Sequence, residues 1–144
     1  MRAIFGIVAG AMLSACHSQP AEPALTKAWV RLPAVAGRPG AAYFTLTGGR
    51  QGDKMAGIAS PAAQRAELHE TVKRNGVNAM QPLGDATLGA GETIVFAPGG
   101  KHVMLFGLDP AVRPGDRLTL TLSLASGKQL VARASVVGAG DPQP

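Results

Sequence analysis

The chain has 144 residues, which is enough for one domain but not for two separate hydrophobic cores. Hydrophobic residues make up 46% of the sequence and aromatic residues only 4%, so the core must be mainly aliphatic. The formal net charge is +5, but the basic residues are scattered along the chain, which argues against a nucleic-acid-binding protein.

The first fifteen residues have the features of an export signal. Arg2 precedes an apolar run over residues 3–13, which is shorter than the roughly 20 residues that a membrane-spanning helix needs. The segment Leu13-Ser14-Ala15-Cys16 is similar to the lipobox of bacterial lipoproteins. We therefore expect a lipoprotein signal peptide over 1–15, lipidation of Cys16 and a membrane-anchored tether over 16–26. An ordinary secretory signal with an incidental cysteine is the alternative.

From residue 27 to residue 138 the sequence predicts a single β-sheet domain, followed by a flexible tail over 139–144. Nineteen glycines and eleven prolines disfavour long helices and favour short strands joined by turns. Residues 117–124 alternate between polar and apolar without a break, as in a strand with one dry face. About nine strands are predicted, over residues 28–32, 41–46, 55–59, 65–72, 78–83, 93–96, 102–107, 117–124 and 129–137. Their number and spacing predict an all-β fold, either a Greek-key sandwich or a barrel.

Four side chains able to bind a metal occur in the order His69, Met80, His102 and Met104, with the spacing His-x10-Met-x21-His-x-Met. Residues two apart on a strand point to the same face, so His102 and Met104 can converge on one ion while Val103 points into the core. A hairpin at the Asn75-Gly76 turn returns residues 77–82 beside residues 69–74, which brings Met80 towards His69.

The types of these ligands favour copper(I). Thioether sulfur is a soft, neutral donor that suits copper(I) and suits zinc, calcium or magnesium poorly. Cys16 is the only cysteine and precedes the domain, which excludes both a blue-copper electron-transfer site and a thiol oxidoreductase. Since imidazole binds metals in its neutral form, affinity should weaken below about pH 6. A single histidine or methionine on a strand is usually a surface or packing residue, so the hypothesis depends on the set of four.

The spacing of these four residues resembles that of the periplasmic copper chaperone family called PCuAC, and so do several flanking segments. Those segments are Ala28-Trp29-Val30-Arg31, Gly40-Ala41-Ala42-Tyr43-Phe44, Ala66-Glu67-Leu68-His69-Glu70 and Gly99-Gly100-Lys101-His102-Val103-Met104-Leu105-Phe106-Gly107-Leu108. The resemblance implies a cupredoxin-like β-sandwich that binds one Cu(I) per monomer through His69, Met80, His102 and Met104. It also implies copper delivery towards the CuA centre of cytochrome c oxidase subunit II, often together with a Sco-type copper protein, or a part in general periplasmic copper homeostasis.

Two positions depart from the pattern of many relatives, which carry methionine where this chain has Thr71 and Asn78. Residues 138–144 contain no histidine or methionine, so no second site for copper(II) is expected there. We expect a monomer in the periplasm, held at a membrane through Cys16. The alternative function is a lipoprotein β-sandwich that binds a partner or a glycan and has no metal role. We expect no enzyme, because no triad is evident and Glu70 faces away from its neighbour His69.

Overall fold

The computed structural model describes Ser18 and residues 20–144. The predicted signal peptide, the lipidation site Cys16 and the start of the tether lie outside the described residues. Within the described part every regular element is a strand, and none of it forms a helix that could cross a membrane. The strands are β1 (Ala24–Arg31), β2 (Gly40–Thr47), β3 (Asp53–Ala59), β4 (Ala63–Arg74), β5 (Val77–Pro82), β6 (Thr87–Leu88), β7 (Thr93–Phe96), β8 (Lys101–Leu108), β9 (Arg117–Leu124) and β10 (Gln129–Val137).

The strands follow one continuous path in the order β5-β4-β8-β2-β1-β10-β9-β3-β6, with β7 paired to the second half of β2. All neighbouring strands are antiparallel except β1 and β10, the first and the last, which run parallel. The path folds back on itself, so that β2 and β8 on one side and β3, β9 and β10 on the other contribute to one core. The all-β prediction is confirmed.

The side chains of this core come from strands whose residues alternate between buried and more exposed positions. In β9 the four leucines are buried, and the polar residues between them lie on the other face. In β8, Val103 and Leu105 are completely buried, as predicted for Val103. Phe44 of β2 stacks on Phe96 of β7 with ring centroids 4.4 Å apart. Burial of an aliphatic or aromatic side chain of this size stabilises the fold by about 1.5–3 kcal/mol, which makes the sheet a rigid support for its outer face.

The structure contains each of the nine predicted strands and adds a tenth, β6, whose two residues are too few to show a periodicity. β1 starts at Ala24, inside the segment predicted to be the tether. A bulge between Thr26 and Trp29, where Lys27 adopts a φ of 52°, shifts the register and interrupts the alternation that predicts a strand.

The C-terminal segment contacts the sheet. The Arg31 guanidinium donates to the carbonyl oxygens of Gly138, Ala139 and Asp141 at 3.4, 3.1 and 2.6 Å. These bonds link the start of the predicted tail to the end of β1, and flexibility of residues 139–144 stays a prediction.

Candidate metal site

Strand register places the four candidate ligands on one face of the sheet. His69 of β4 lies directly opposite His102 of β8, and Thr71 of β4 lies directly opposite Met80 of β5. Residues that face each other across a pair, and residues two apart on one strand, share a face. His69, Met80, His102 and Met104 therefore all belong to the face opposite the core, since Val103 between the last two is completely buried.

In the register of β4 and β5, Met80 does not lie directly opposite His69. The residue opposite His69 is Pro82, and Met80 is level with Thr71 instead. The predicted hairpin is present, and Asn75 and Gly76 both adopt positive φ at its turn. Met80 and the small side chain of Thr71 line the same pocket.

A small pocket of about 140 Å³ opens on this face. It is lined by three of the candidate ligands, Met80, His102 and Met104. His69 lies beside the pocket, and its ring is stacked against that of His102 with centroids 6.1 Å apart. The other lining residues are Pro39, Gly40, Ala41, Tyr43, Thr71 and Gly99.

His102 has one ring nitrogen bonded and one without a partner. Its Nδ1 lies 2.9 Å from the carbonyl oxygen of Gly100, and since a carbonyl only accepts, Nδ1 is the donor. The same oxygen accepts the backbone N–H of Thr71 at 3.1 Å, which joins β4 to the turn before β8. In this tautomer Nε2 carries a lone pair, yet it is buried with no hydrogen-bond partner among the described residues. A carbonyl that fixes the tautomer from behind is the usual support of a metal-binding imidazole.

His69 has a different environment, because Glu67 faces both of its nitrogens. Nδ1 lies 3.4 Å from the Glu67 carbonyl oxygen, and Nε2 lies 3.8 Å from Oε2 of the Glu67 carboxylate. The other carboxylate oxygen, Oε1, accepts from Nε of Arg65 at 2.6 Å. Glu67 was not among the predicted site residues, although its place two residues before His69 puts it on the same face.

Burial differs sharply among the candidate ligands. His69 and His102 are 9% and 5% exposed, Met104 is half-buried, and Met80 on the edge strand β5 is 64% exposed. Among the described residues no three His, Cys, Asp or Glu side chains form a group able to hold a metal ion. Two of the three candidate ligands that line the pocket are thioethers, and soft donors suit a soft ion such as copper(I).

An aromatic pair forms the wall of the pocket on the β2 side. Tyr43 lines the pocket, and its ring lies 4.4 Å from that of Trp29, the only tryptophan of the chain. Burial raises the pKa of the Tyr43 phenol above its ordinary value, and the positive charge of Arg31 offsets part of this rise. The phenol therefore stays neutral at physiological pH and acts as an uncharged wall.

Residues 24–136 match the family described as "Putative lipoprotein LpqE-like". The chain belongs to this family. It is 36% identical over 104 residues to "Putative lipoprotein Lxx21020" of Leifsonia xyli subsp. xyli, covering 72% of this chain and 62% of that protein. It is 30% identical over 98 residues to "Uncharacterized protein RP573" of Rickettsia prowazekii, covering 67% of this chain and 54% of that protein. The chain thus spans a little over half the length of these curated relatives.

Solved PCuAC domains have the same fold as this LpqE-like chain. The solution structure of the copper(I) form of DR1885 from Deinococcus radiodurans is 32% identical, with a TM-score of 0.59, covering 78% of this chain and 77% of that one. The apo form of DR1885 is 27% identical, with a TM-score of 0.60, covering 98% and 97%. The copper-bound PCuAC domain from PmoF2 is 18% identical, with a TM-score of 0.66 over 81% and 93%, a likeness of fold alone. The predicted cupredoxin-like sandwich of the PCuAC family is confirmed.

Proposed function

We propose that this LpqE-like protein is a copper carrier that binds one Cu(I) per monomer through His69, Met80, His102 and Met104. The observation that carries the proposal is the buried, unpartnered Nε2 of His102, in a residue that lines a pocket together with two thioethers. A buried polar atom without a partner costs about 1–3 kcal/mol, and a metal ion would remove that cost. The relation to DR1885, whose solution structure was determined with copper(I), supports this choice of ion.

The arrangement favours a carrier over a permanent metal site. Two buried imidazoles supply fixed nitrogen donors, whereas the 64% exposed Met80 leaves one side of the ion open to a partner. A partner's ligand could replace the Met80 sulfur first, and the ion would then pass across without leaving protein donors. Thioether bonds carry no charge to separate, which suits such stepwise exchange.

The finer parts of the proposal concern location and acceptor. Lipidation of Cys16 would hold the domain at a membrane on the periplasmic side, and the lipoprotein name of the family supports this location. We infer delivery towards the CuA centre of cytochrome c oxidase subunit II, directly or with a Sco-type copper protein, from the resemblance to PCuAC chaperones. General periplasmic copper homeostasis is the broader form of the same role.

A copper(I) titration tests the metal site. The protein is titrated with Cu(I) in competition with a chromogenic chelator, and the fluorescence of Trp29 gives a second readout, because its ring packs on Tyr43 at the pocket wall. We expect one Cu(I) per chain, and loss of binding when His69→Ala and Met104→Leu are combined. Met55→Leu is the matched control, because Met55 is buried in the core, away from this face. Unchanged binding in the double variant would overturn the ligand set, and glycan binding by the copper-free protein would favour a binding module without a metal role.

A further inference from the structure

Two exposed basic residues lie close in sequence to residues that line the pocket, and neither is a proposed ligand. On the β2 side, Arg38 immediately precedes Pro39, which lines the pocket. On the β4 side, Lys73 lies two residues beyond Thr71, on the same face and about 7 Å further along the strand. We call Arg38 and Lys73 the basic rim.

The charges of the basic rim are not neutralised within the described part of the chain, where neither residue has a carboxylate oxygen within 4.0 Å. A third exposed base on this face, Arg65, differs because its Nε is paired with Glu67 at 2.6 Å. Asp109 shares a neighbouring pocket of about 290 Å³ with Arg38, but its carboxylate accepts from the backbone N–H of Ala111. Within the described residues, therefore, neither Arg38 nor Lys73 has an ion-pair partner.

Met80, the most exposed of the proposed ligands, lies close to Lys73. Lys73 is paired in register with Asn78, two residues before Met80, so Lys73 and Met80 are diagonal neighbours about 7–8 Å apart. Met80 is 64% exposed. A partner that binds Lys73 would therefore lie close to the Met80 thioether.

We propose that the protein that exchanges copper with this chain docks through an acidic surface on Arg38 and Lys73. The proposal rests on the proposed function, since it concerns how the same site meets its partner. Complementary charge steers two proteins into register and raises their association rate, while leaving the complex weak enough to separate after transfer. A protein partner is favoured over a lipid surface, because Lys73 of the basic rim lies close to the proposed ligand Met80. Phospholipid headgroups offer no soft donor to receive copper(I).

Two synthetic peptides test the proposal. Both contain a Met-x-x-Met segment that accepts Cu(I), flanked in one by four glutamates and in the other by four glutamines. The copper-loaded protein is mixed with each peptide at low salt, and transfer is followed through Trp29 fluorescence. We expect the acidic peptide to take copper about tenfold faster than the neutral one, with the difference lost at high salt.

Charge-reversal variants assign the effect to the rim. Arg38→Glu combined with Lys73→Glu should abolish the advantage of the acidic peptide without changing the equilibrium affinity for Cu(I). Arg117→Glu is the matched control, since this exposed arginine begins β9 in the other half of the sandwich, and it should keep the advantage. Equal rates for the two peptides, or an advantage that survives in the double variant, would overturn the docking proposal alone.

Two further outcomes also decide the matter. If the wild-type chain takes up no Cu(I) at all, the proposed function fails and this proposal fails with it. Binding to vesicles of neutral phosphatidylcholine, with and without anionic phosphatidylglycerol, is measured in parallel. If the rim variant loses binding to the anionic vesicles while peptide transfer is unchanged, the rim serves a lipid surface and the protein-docking proposal is overturned.

Discussion

Replacement of His102 by leucine should stabilise the copper-free protein while removing one of the proposed copper ligands. In the copper-free state the buried Nε2 of His102 has no partner among the described residues, which costs about 1–3 kcal/mol. The substitution also removes the bond from Nδ1 to Gly100, worth about 0.5–1.5 kcal/mol. The Gly100 carbonyl keeps its bond from the Thr71 N–H, so no new unpaired group is created. The expected net gain is about 1 kcal/mol, or a rise in Tm of about 3–5 °C for a domain of this size.

Thermal unfolding without Cu(I) measures the gain in stability, and thermal unfolding with Cu(I) measures the loss of copper binding. In excess chelator, His102→Leu should unfold at a higher temperature than the wild type. With free Cu(I) at one hundred times Kd, the wild type should gain about 2.7 kcal/mol and the variant much less. His69→Leu is the matched control, because both nitrogens of His69 already have a polar neighbour in Glu67, and it should give no stabilisation. A copper-free His102→Leu protein less stable than the wild type by 1 kcal/mol or more would refute the reasoning.

Met80→Leu should change the free energy of unfolding by less than about 0.5 kcal/mol, since the side chain is 64% exposed. The same variant should release copper to a chelator at least about tenfold faster than the wild type. A stopped-flow release rate equal to that of the core variant Met55→Leu would contradict this. Thr71→Met places a third thioether in the pocket wall and should tighten Cu(I) binding about tenfold in competition titrations. Weaker binding would mean that the added side chain blocks the pocket. Cu(I) affinity should fall between about pH 7.5 and pH 5, because protons compete for the imidazoles of His69 and His102, and a flat profile would exclude histidine ligation.

Much of the fold could be predicted because alternation and turn residues are local signals. The leucines of β9 and the Asn75-Gly76 hairpin needed no knowledge of the rest of the chain. The start of β1 could not be predicted in this way, because the bulge at Lys27 breaks the alternation and its pairing with β2 is a tertiary property. β6 has only two residues, and it is a strand because it pairs with β3.

The composition of the site was also accessible from the sequence, but its arrangement was not. The side-chain period of a strand places His102 and Met104 on one face, and the structure has them there. The pairing of His69 with His102, and of Met80 with Thr71, depends on the register between distant strands, for which the sequence carries no local code. The contacts of Glu67 with His69, and of Gly100 with His102, join residues two apart in the sequence, so they depend on the local backbone and not on that register.

The proposed site lies on the outer face of the sheet, and this position would let one set of ligands both select and release an ion. Val103 and Leu105 fasten β8 to the core, so the backbone that bears His102 and Met104 does not need the metal to hold its shape. The copper-free site is thus largely formed beforehand, and binding requires little ordering. Met80, in contrast, is carried by an edge strand that pairs with β4 alone. In the proposed carrier, Met80 could therefore leave the ion without disturbing the buried imidazoles, so the inner strands would provide selectivity and the edge strand would permit exchange.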